Sequence, residues 1–229
     1  MSNPLVSVVI ATYNAGEMLC SYSLNSVLKQ TYKNLEIIVV DDGSIDDTEE
    51  RVRAINDPRI VYRKIENNGN TNWYSCGVAA LNHGLSLCTG EYICYCDDDD
   101  FFLKEKVETL VNFSESTGAD IVHHPFLIHY EKFETFKRIY MESLTCNHGE
   151  VTTSSIFHKG KYKNITFGDG NNVLPGDWLK TKGILDVGGI PARFPSMLTL
   201  KNGHRECTSL RNRLYRPQLE PPPYKNVKN

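Results

Sequence analysis

The apolar positions of the chain fall into short solid runs separated by stretches with helical spacing. Leu5–Ala11 and Leu35–Val40 are near-continuous apolar runs, the pattern of strands buried on both faces. Between them Leu24, Val27 and Leu28 recur at three- and four-residue intervals, which predicts a helix. Asp41-Asp42-Gly43-Ser44 breaks the second run. Ser44, with Asp47 three residues on, resembles a capping box and predicts a helix to about Asn56, with Val52 and Ile55 turned inward. Ile60–Ile65 reads as a third strand. Val78, Leu81 and Leu85 predict a helix that closes near Gly90, glycine being the usual stop. Tyr92–Cys96 reads as a fourth strand that runs into Asp97-Asp98-Asp99-Asp100. Val107, Leu110 and Val111 predict the next helix, and Ala119–His124 the next strand.

From His129 to Pro175 no single period holds, and only short strands and loops are expected. Order returns with Leu179–Gly189 and a last helix near Glu206–Tyr215. The tail from Pro217, which includes Pro221-Pro222-Pro223, reads as extended chain. Strands alternating with helices predict an α/β fold with a mostly parallel central sheet and helices on both faces. At 229 residues and 26.0 kDa, one domain over 1–216 with a Pro-rich tail, 217–229, accounts for the length.

Charge and cysteine content narrow the classes. Lys plus Arg is 25 against 28 for Asp plus Glu, a formal charge of −3, so there is no basic excess to meet a nucleic-acid backbone. No apolar run approaches the roughly 18 residues of a membrane span, and Val6–Ala11 lacks the basic flank of a signal peptide. A cytoplasmic protein is expected, at most peripheral to a membrane on its cytosolic face. Seven cysteines without a Cys-x-x-Cys spacing point to reduced thiols. Cys94 and Cys96, two apart on a strand, share one face as small buried hydrophobes.

The candidate chemistry lies in carboxylates at strand ends, where open parallel sheets bind ligands. Asp41 and Asp42 close the second strand and Asp97 to Asp100 the fourth. Four adjacent carboxylates repel one another unless a cation neutralises them, and hard divalent ions take such oxygen ligands. A solvated acidic turn is the plainer alternative; the position directly after a buried strand favours a Mg²⁺ or Mn²⁺ site that meets substrate phosphates. No phosphate-binding Gly-x-x-x-x-Gly-Lys-Ser/Thr loop is present, and Ala11-Thr12-Tyr13-Asn14 stands where a dinucleotide fingerprint would.

Three segments in order, Val6 to Asn14, Ser26-Val27-Leu28-Lys29-Gln30-Thr31-Tyr32, and Glu36 to Ser44, resemble the opening of a family 2 glycosyltransferase of the GT-A fold. Gly90-Glu91-Tyr92-Ile93 leading into Asp97–Asp100 resembles that family's Asp-x-Asp region. Ile184 to Gly189 and Glu206 to Leu214 resemble its later segments more loosely. The resemblance implies transfer of a sugar from a nucleotide-sugar donor, a UDP-sugar above all, to an acceptor hydroxyl with inversion. It assigns about 1–115 to donor binding and about 116–216 to a smaller, irregular acceptor-binding part. By motif position Thr12, Tyr13, Asn14 and Asp41 belong to the nucleotide-sugar site, and Asp42 would hydrogen-bond the base. Asp97 and Asp98 would lie near ribose and diphosphate, and Asp99 would ligate Mn²⁺ or Mg²⁺.

The chain departs from the family pattern twice. Ala80-Leu81-Asn82-His83-Gly84 stands where relatives carry Ala-Arg-Asn-x-Gly, and Cys207 aligns with the usual catalytic Asp. Glu206 is then the first candidate for the base and Asp177 the second; a helix-end charge and a turn residue are the plainer readings of each. His158 and His204 either complete a metal shell or are hydrogen-bonded structural side chains. Trp73, Tyr74 and Trp178 either stack on a ligand or pack. A sugar nucleotidyltransferase and an inactive sugar-nucleotide-binding domain of the same fold are the competing classes; the first lacks its Gly-rich basic loop after the first strand.

Overall fold

β1 (Val6–Thr12) and β2 (Leu35–Asp41), the two solid apolar runs, pair in parallel with Val6 opposite Leu35 and Thr12 opposite Asp41. The computed structural model describes residues 3–67, 77–130, 135–139, 151–169 and 174–202. β3 (Ile60–Lys64) joins the far side of β2, and β4 (Tyr92–Tyr95) the near side of β1, both in parallel. Beyond β4 the sheet continues through β9 (Ile156–Lys159), β6 (Ile121–His123) and β10 (Pro191–Arg193), giving the order β10-β6-β9-β4-β1-β2-β3. Among the described residues, only β9 runs antiparallel to its neighbours in this sheet. The mostly parallel α/β sheet expected from the pattern is therefore present.

A second sheet has the order β5-β11-β7-β8, from β5 (Phe101–Phe102), β7 (Phe126–Tyr130), β8 (Thr135–Ile139) and β11 (Thr199–Asn202). Asp97 to Asp100 span the gap between β4 of the first sheet and β5 of the second.

Strand side chains alternate between faces, so two cores form. One gathers Val6, Val8 and Ile10 with Leu19, Leu24 and Val27 of the first helical segment, Val52 of α3 (Thr48–Ala54), and Val107, Leu110 and Val111 of α5 (Lys106–Thr117). That first segment runs as α1 (Gly16–Met18), a π turn (Leu19–Ser23) and α2 (Leu24–Leu28). The other core sets Val9, Ile38, Val40, Ile93 and Tyr95 against Val78, Leu81 and Leu85 of α4 (Val78–Leu87) and Ile184 of α6 (Gly176–Asp186). Leu81, at the family's Arg position, is a core side chain. Gly84 lets α4 lie close on β1: a Cβ there would stand 2.4 Å from Val9 Cγ1. Cys94 and Cys96 are both buried in the first core as unpaired thiols.

Two local expectations are corrected. Ser44 does not cap α3; its hydroxyl accepts the Asn14 N–H at 2.8 Å, and Asp46 Oδ1 takes the Thr48 N–H at 3.1 Å instead. The helix begins only at Thr48, so Asp47, not Ser44, stands at its N-cap position. Nor does Gly90 stop α4, which ends at Leu87 with Cys88 extended. Gly90 is needed for closeness to β1, where a Cβ would meet Ser7 Oγ at 2.6 Å. Gly118, with φ of 73°, does close α5 in the left-handed conformation. No helix among the described residues is long and apolar enough to cross a membrane. The expected helix near Glu206–Tyr215 and the tail from Pro217 lie outside the described residues, as do Trp73, Tyr74 and His204.

Candidate functional site

Thr12, Asp41 and the acidic loop all sit where parallel strands end, so their side chains converge at one rim of the main sheet. Asn14 adopts a φ of 48°, a left-handed backbone that asparagine tolerates better than most residues. Its N–H donates to Ser44 Oγ, and its Oδ1 accepts the Ile45 N–H at 2.8 Å, which ties the loop after β1 to the loop after β2. Asp41 braces the same joint from within. Its Oδ1 accepts the Ser44 N–H at 2.7 Å, and its Oδ2 accepts the Tyr62 hydroxyl at 2.6 Å. Asp41 is thus fully buried with each oxygen holding protein. Asp42, one residue on, is also buried; its N–H donates to the Thr12 carbonyl at 2.9 Å, and its own carbonyl accepts from Asn67. Tyr13 lies half-buried between Thr12 and Asn14.

The acidic loop is held by Thr12 and by two serines distant in sequence, Ser23 and Ser154. The Asp100 N–H donates to the Asp97 carbonyl at 3.0 Å, closing a turn, and the Asp97 N–H donates to Ser154 Oγ at 2.9 Å. Thr12 Oγ1 donates to Asp98 Oδ2 at 2.9 Å, and Ser23 Oγ, from the π turn, to the Asp98 carbonyl at 3.1 Å. Asp97, Asp99 and Asp100 each offer a carboxylate oxygen, all within 4.8 Å of one another. Burial, then the charges of Asp100 and Asp98, push the Asp99 carboxyl up to about 8. Burial likewise pushes Asp100 to about 6, against the pull of Lys201. Desolvated carboxylates crowded this closely favour positive charge among them, and three hard oxygen donors suit a divalent ion such as Mn²⁺ or Mg²⁺.

Lys201 on β11 supplies part of that charge. Its ammonium donates to Asp97 Oδ2 at 2.9 Å and Asp100 Oδ2 at 3.1 Å. Burial works against its charge, but Asp100, Asp97 and Asp99 outweigh it and hold its pKa well above the usual lysine value. No sequence signal marked Lys201, because β11 is a four-residue strand, too short to show a period, in the span between Gly189 and Glu206 for which the sequence predicts no element. Lys106 was missed for the opposite reason, a lysine inside an apolar helical stripe. It is fully buried, donates to the Ser154 carbonyl and to Thr199 Oγ1 at 2.8 Å, and is pushed down to about 8 by burial.

Asp177 lies in the first turn of α6, its Oδ1 accepting the Trp178 N–H at 2.7 Å. Burial pushes its carboxyl up to about 6; the charges of Asp97 and Lys201 are also felt there, which puts Asp177 within electrostatic reach of the acidic loop. Glu206 and Cys207 lie outside the described residues. His158 is a core side chain: Nδ1 donates to the Lys159 carbonyl at 2.8 Å, so Nε2 accepts from the Tyr95 hydroxyl at 2.7 Å. Both nitrogens are committed, which is the hydrogen-bonded alternative and leaves none for a metal.

An acidic loop at the strand ends of a mostly parallel sheet, with a second small sheet alongside, is the arrangement of the GT-A glycosyltransferase fold class. The profile of Glycosyl transferase family 2 matches residues 7–177, more than half of the chain, and the chain belongs to that family. Among curated relatives it is 32% identical over 170 residues to the Escherichia coli UDP-Glc:alpha-D-GlcNAc-diphosphoundecaprenol beta-1,3-glucosyltransferase WfaP, covering 71% of this chain and 64% of that protein. It is 39% identical over 113 residues to the E. coli UDP-Glc:alpha-D-GlcNAc-diphosphoundecaprenol beta-1,3-glucosyltransferase WfgD, covering 49% and 42%. The chain thus spans less than two thirds of either relative's length. In fold it is similar to S. aureus TarS 1-349 in complex with UDP, with a TM-score of 0.70, 20% identity, and coverage of 93% and 65%. The mannosyltransferase PcManGT from Pyrobaculum calidifontis, in complex with GDP-Man and Mn²⁺, gives 0.69, 18% identity, and coverage of 93% and 61%.

Proposed function

We propose that this chain transfers a sugar from a UDP-sugar to a hydroxyl of a glycan, lipid-linked or protein-linked acceptor, with inversion at the anomeric carbon. The observation that carries the reading is the convergence of Asp97, Asp99 and Asp100 at the strand ends beside the Thr12–Asp98 hydrogen bond. The WfaP and WfgD activities favour UDP-glucose and a lipid diphosphate acceptor, and the UDP in TarS favours the same nucleotide. Residues 1–115 form the donor half and 116–216 the acceptor half, working in the cytoplasm or at the cytosolic face of a membrane.

Thr12, Tyr13 and Asp42 line the nucleoside end, with Asn14 and Asp41 holding the two loops in register from behind. Asp97 and Asp98 face ribose and diphosphate, and Asp99 is the ligand for Mn²⁺ or Mg²⁺. When bound, that ion supplies positive charge opposite the departing diphosphate. The acceptor oxygen attacks the anomeric carbon from the side opposite the leaving group, the glycosyl–phosphate bond breaks with its electron pair going to the diphosphate, and a carboxylate takes the hydroxyl proton. Glu206 or Asp177 is that carboxylate.

The test incubates the protein with UDP-glucose, UDP-GlcNAc or GDP-mannose and an undecaprenyl-diphosphate-linked sugar, with Mn²⁺ or with EDTA. Metal-dependent release of free UDP matched by a lengthened glycan is expected. Failure of every donor to bind with Mn²⁺ present would overturn the reading.

A further inference from the structure

Strand alternation places Thr199 and Lys201 on one face of β11, the first bonded to Lys106 and the second to the acidic loop. The two lysines differ in what they hold. Lys106 donates to a carbonyl and a hydroxyl, whereas Lys201 joins two carboxylates, one of them, Asp100, fully buried. Lys201 itself keeps about a quarter of its side chain exposed, 26%. A salt bridge with a buried partner differs from a surface pair, because removing the cation strands a desolvated charge. The same two carboxylates, with Asp99, make up the cluster able to hold a divalent ion. Lys201 and a divalent ion therefore compete for the same two carboxylates.

We propose that Lys201 is a resident counter-ion of the acidic loop, a positioning residue that shares its one positive charge between Asp97 and Asp100 while the donor is absent and so makes divalent-ion binding depend on the nucleotide's diphosphate. This rests on the reading of the loop as a metal site. The ammonium carries one positive charge against two carboxylates, so an ion of higher charge can still displace it. Two more oxygen donors and two more negative charges arrive with the diphosphate, and only then does the divalent ion outcompete the ammonium.

The experiment measures free Mn²⁺ by electron paramagnetic resonance over the parent, Lys201→Met and Lys201→Arg, each with and without UDP. The parent is expected to bind Mn²⁺ at least about tenfold more tightly with UDP than without, the scale that one unit charge at a few ångströms imposes. Lys201→Met is expected to bind Mn²⁺ alone at least about tenfold more tightly than the parent does, and Lys201→Arg to match the parent. Mn²⁺ binding by Lys201→Met alone that is no tighter than the parent's overturns the proposal. If Lys201→Met is unfolded in EDTA, refolding by Mn²⁺ but not by NaCl of equal ionic strength supports the counter-ion role, and no rescue overturns it. A parent that takes no Mn²⁺ even with UDP defeats the metal-site reading itself, a result distinct from a change confined to the variant.

Discussion

Thr12 Oγ1 donates to Asp98 Oδ2 at 2.9 Å across 86 residues of sequence, joining the end of β1 to the acidic loop after β4. Both side chains are buried. Thr12→Val replaces the hydroxyl with a methyl of similar size and leaves a buried carboxylate oxygen short of a donor. A stability loss of about 1–3 kcal/mol is expected by urea unfolding, together with weaker UDP binding. Thr12→Ser keeps the donor and should stay near the parent. Equal stability of all three proteins would show that the bond contributes nothing.

Asp99 should separate stability from function. Burial and its neighbours hold the Asp99 carboxyl at about 8, so at about pH 7 the metal-free parent must take up a proton there on folding; Asp99→Asn removes that demand and should melt at a higher temperature in EDTA. The same change replaces a charged hard ligand with a neutral amide, and Mn²⁺-dependent UDP binding should be lost by calorimetric titration. Unchanged UDP affinity and unchanged metal dependence would remove Asp99 from the ligand set.

The base is decided by a pair of variants. If Glu206 accepts the acceptor proton, Glu206→Gln should lower transfer by roughly 10²–10⁴-fold with donor affinity kept. A loss of that size in Asp177→Asn, with near-normal turnover in Glu206→Gln, would move the role to the start of α6. Parent-like rates in both exclude both. Cys207→Asp restores the family's residue; a gain in rate would mark Cys207 as a weakened position, and abolished activity a rebuilt one.

Glu36, at the opposite end of the sheet, predicts an acid limb in the stability profile. Its carboxylate accepts from the Ser7 hydroxyl, from the Thr89 N–H at 2.6 Å and hydroxyl at 2.9 Å, and from the Gly90 N–H at 3.0 Å. Burial alone would raise its pKa, but these donors prevail and lower it below the ordinary glutamate value. The folded state therefore holds this proton less readily than the unfolded chain, whose glutamate titrates near roughly 4.3. The stabilisation is full above that value and is lost as pH falls through the lower folded value. The stability gap between the parent and Glu36→Gln, from urea unfolding at about pH 6 and about pH 3, should shrink on acidification. A gap that is constant with pH would sink the assignment.

Strands β1 to β4 were legible as short, largely apolar runs, and helices α4 and α5 as stripes that repeat at the helical period. Asp41, Asp42 and the acidic loop were legible as strand-end carboxylates. Their division of labour was not: Asp41 is turned onto Ser44 and Tyr62, and nothing in the string Asp41-Asp42 says which of the two faces inward. Ser44 misled because a hydroxyl three residues before an acid suits a helix cap equally well when its true partner, Asn14, is thirty residues away.

By itself, then, the sequence determined the alternating α/β order, the buried strands and the place of the acidic loop at a strand end, since these depend on contacts local to each element. Tertiary structure alone decided that β9 enters the main sheet antiparallel, that His158 is spent on Tyr95 and the Lys159 carbonyl, and that Lys201 closes on Asp97 and Asp100. Lys201 lies 104 positions from Asp97, and an ion pair between residues so far apart leaves no period in the chain. It exists only because β11 pairs with β5 and brings an ammonium to carboxylates that repel one another.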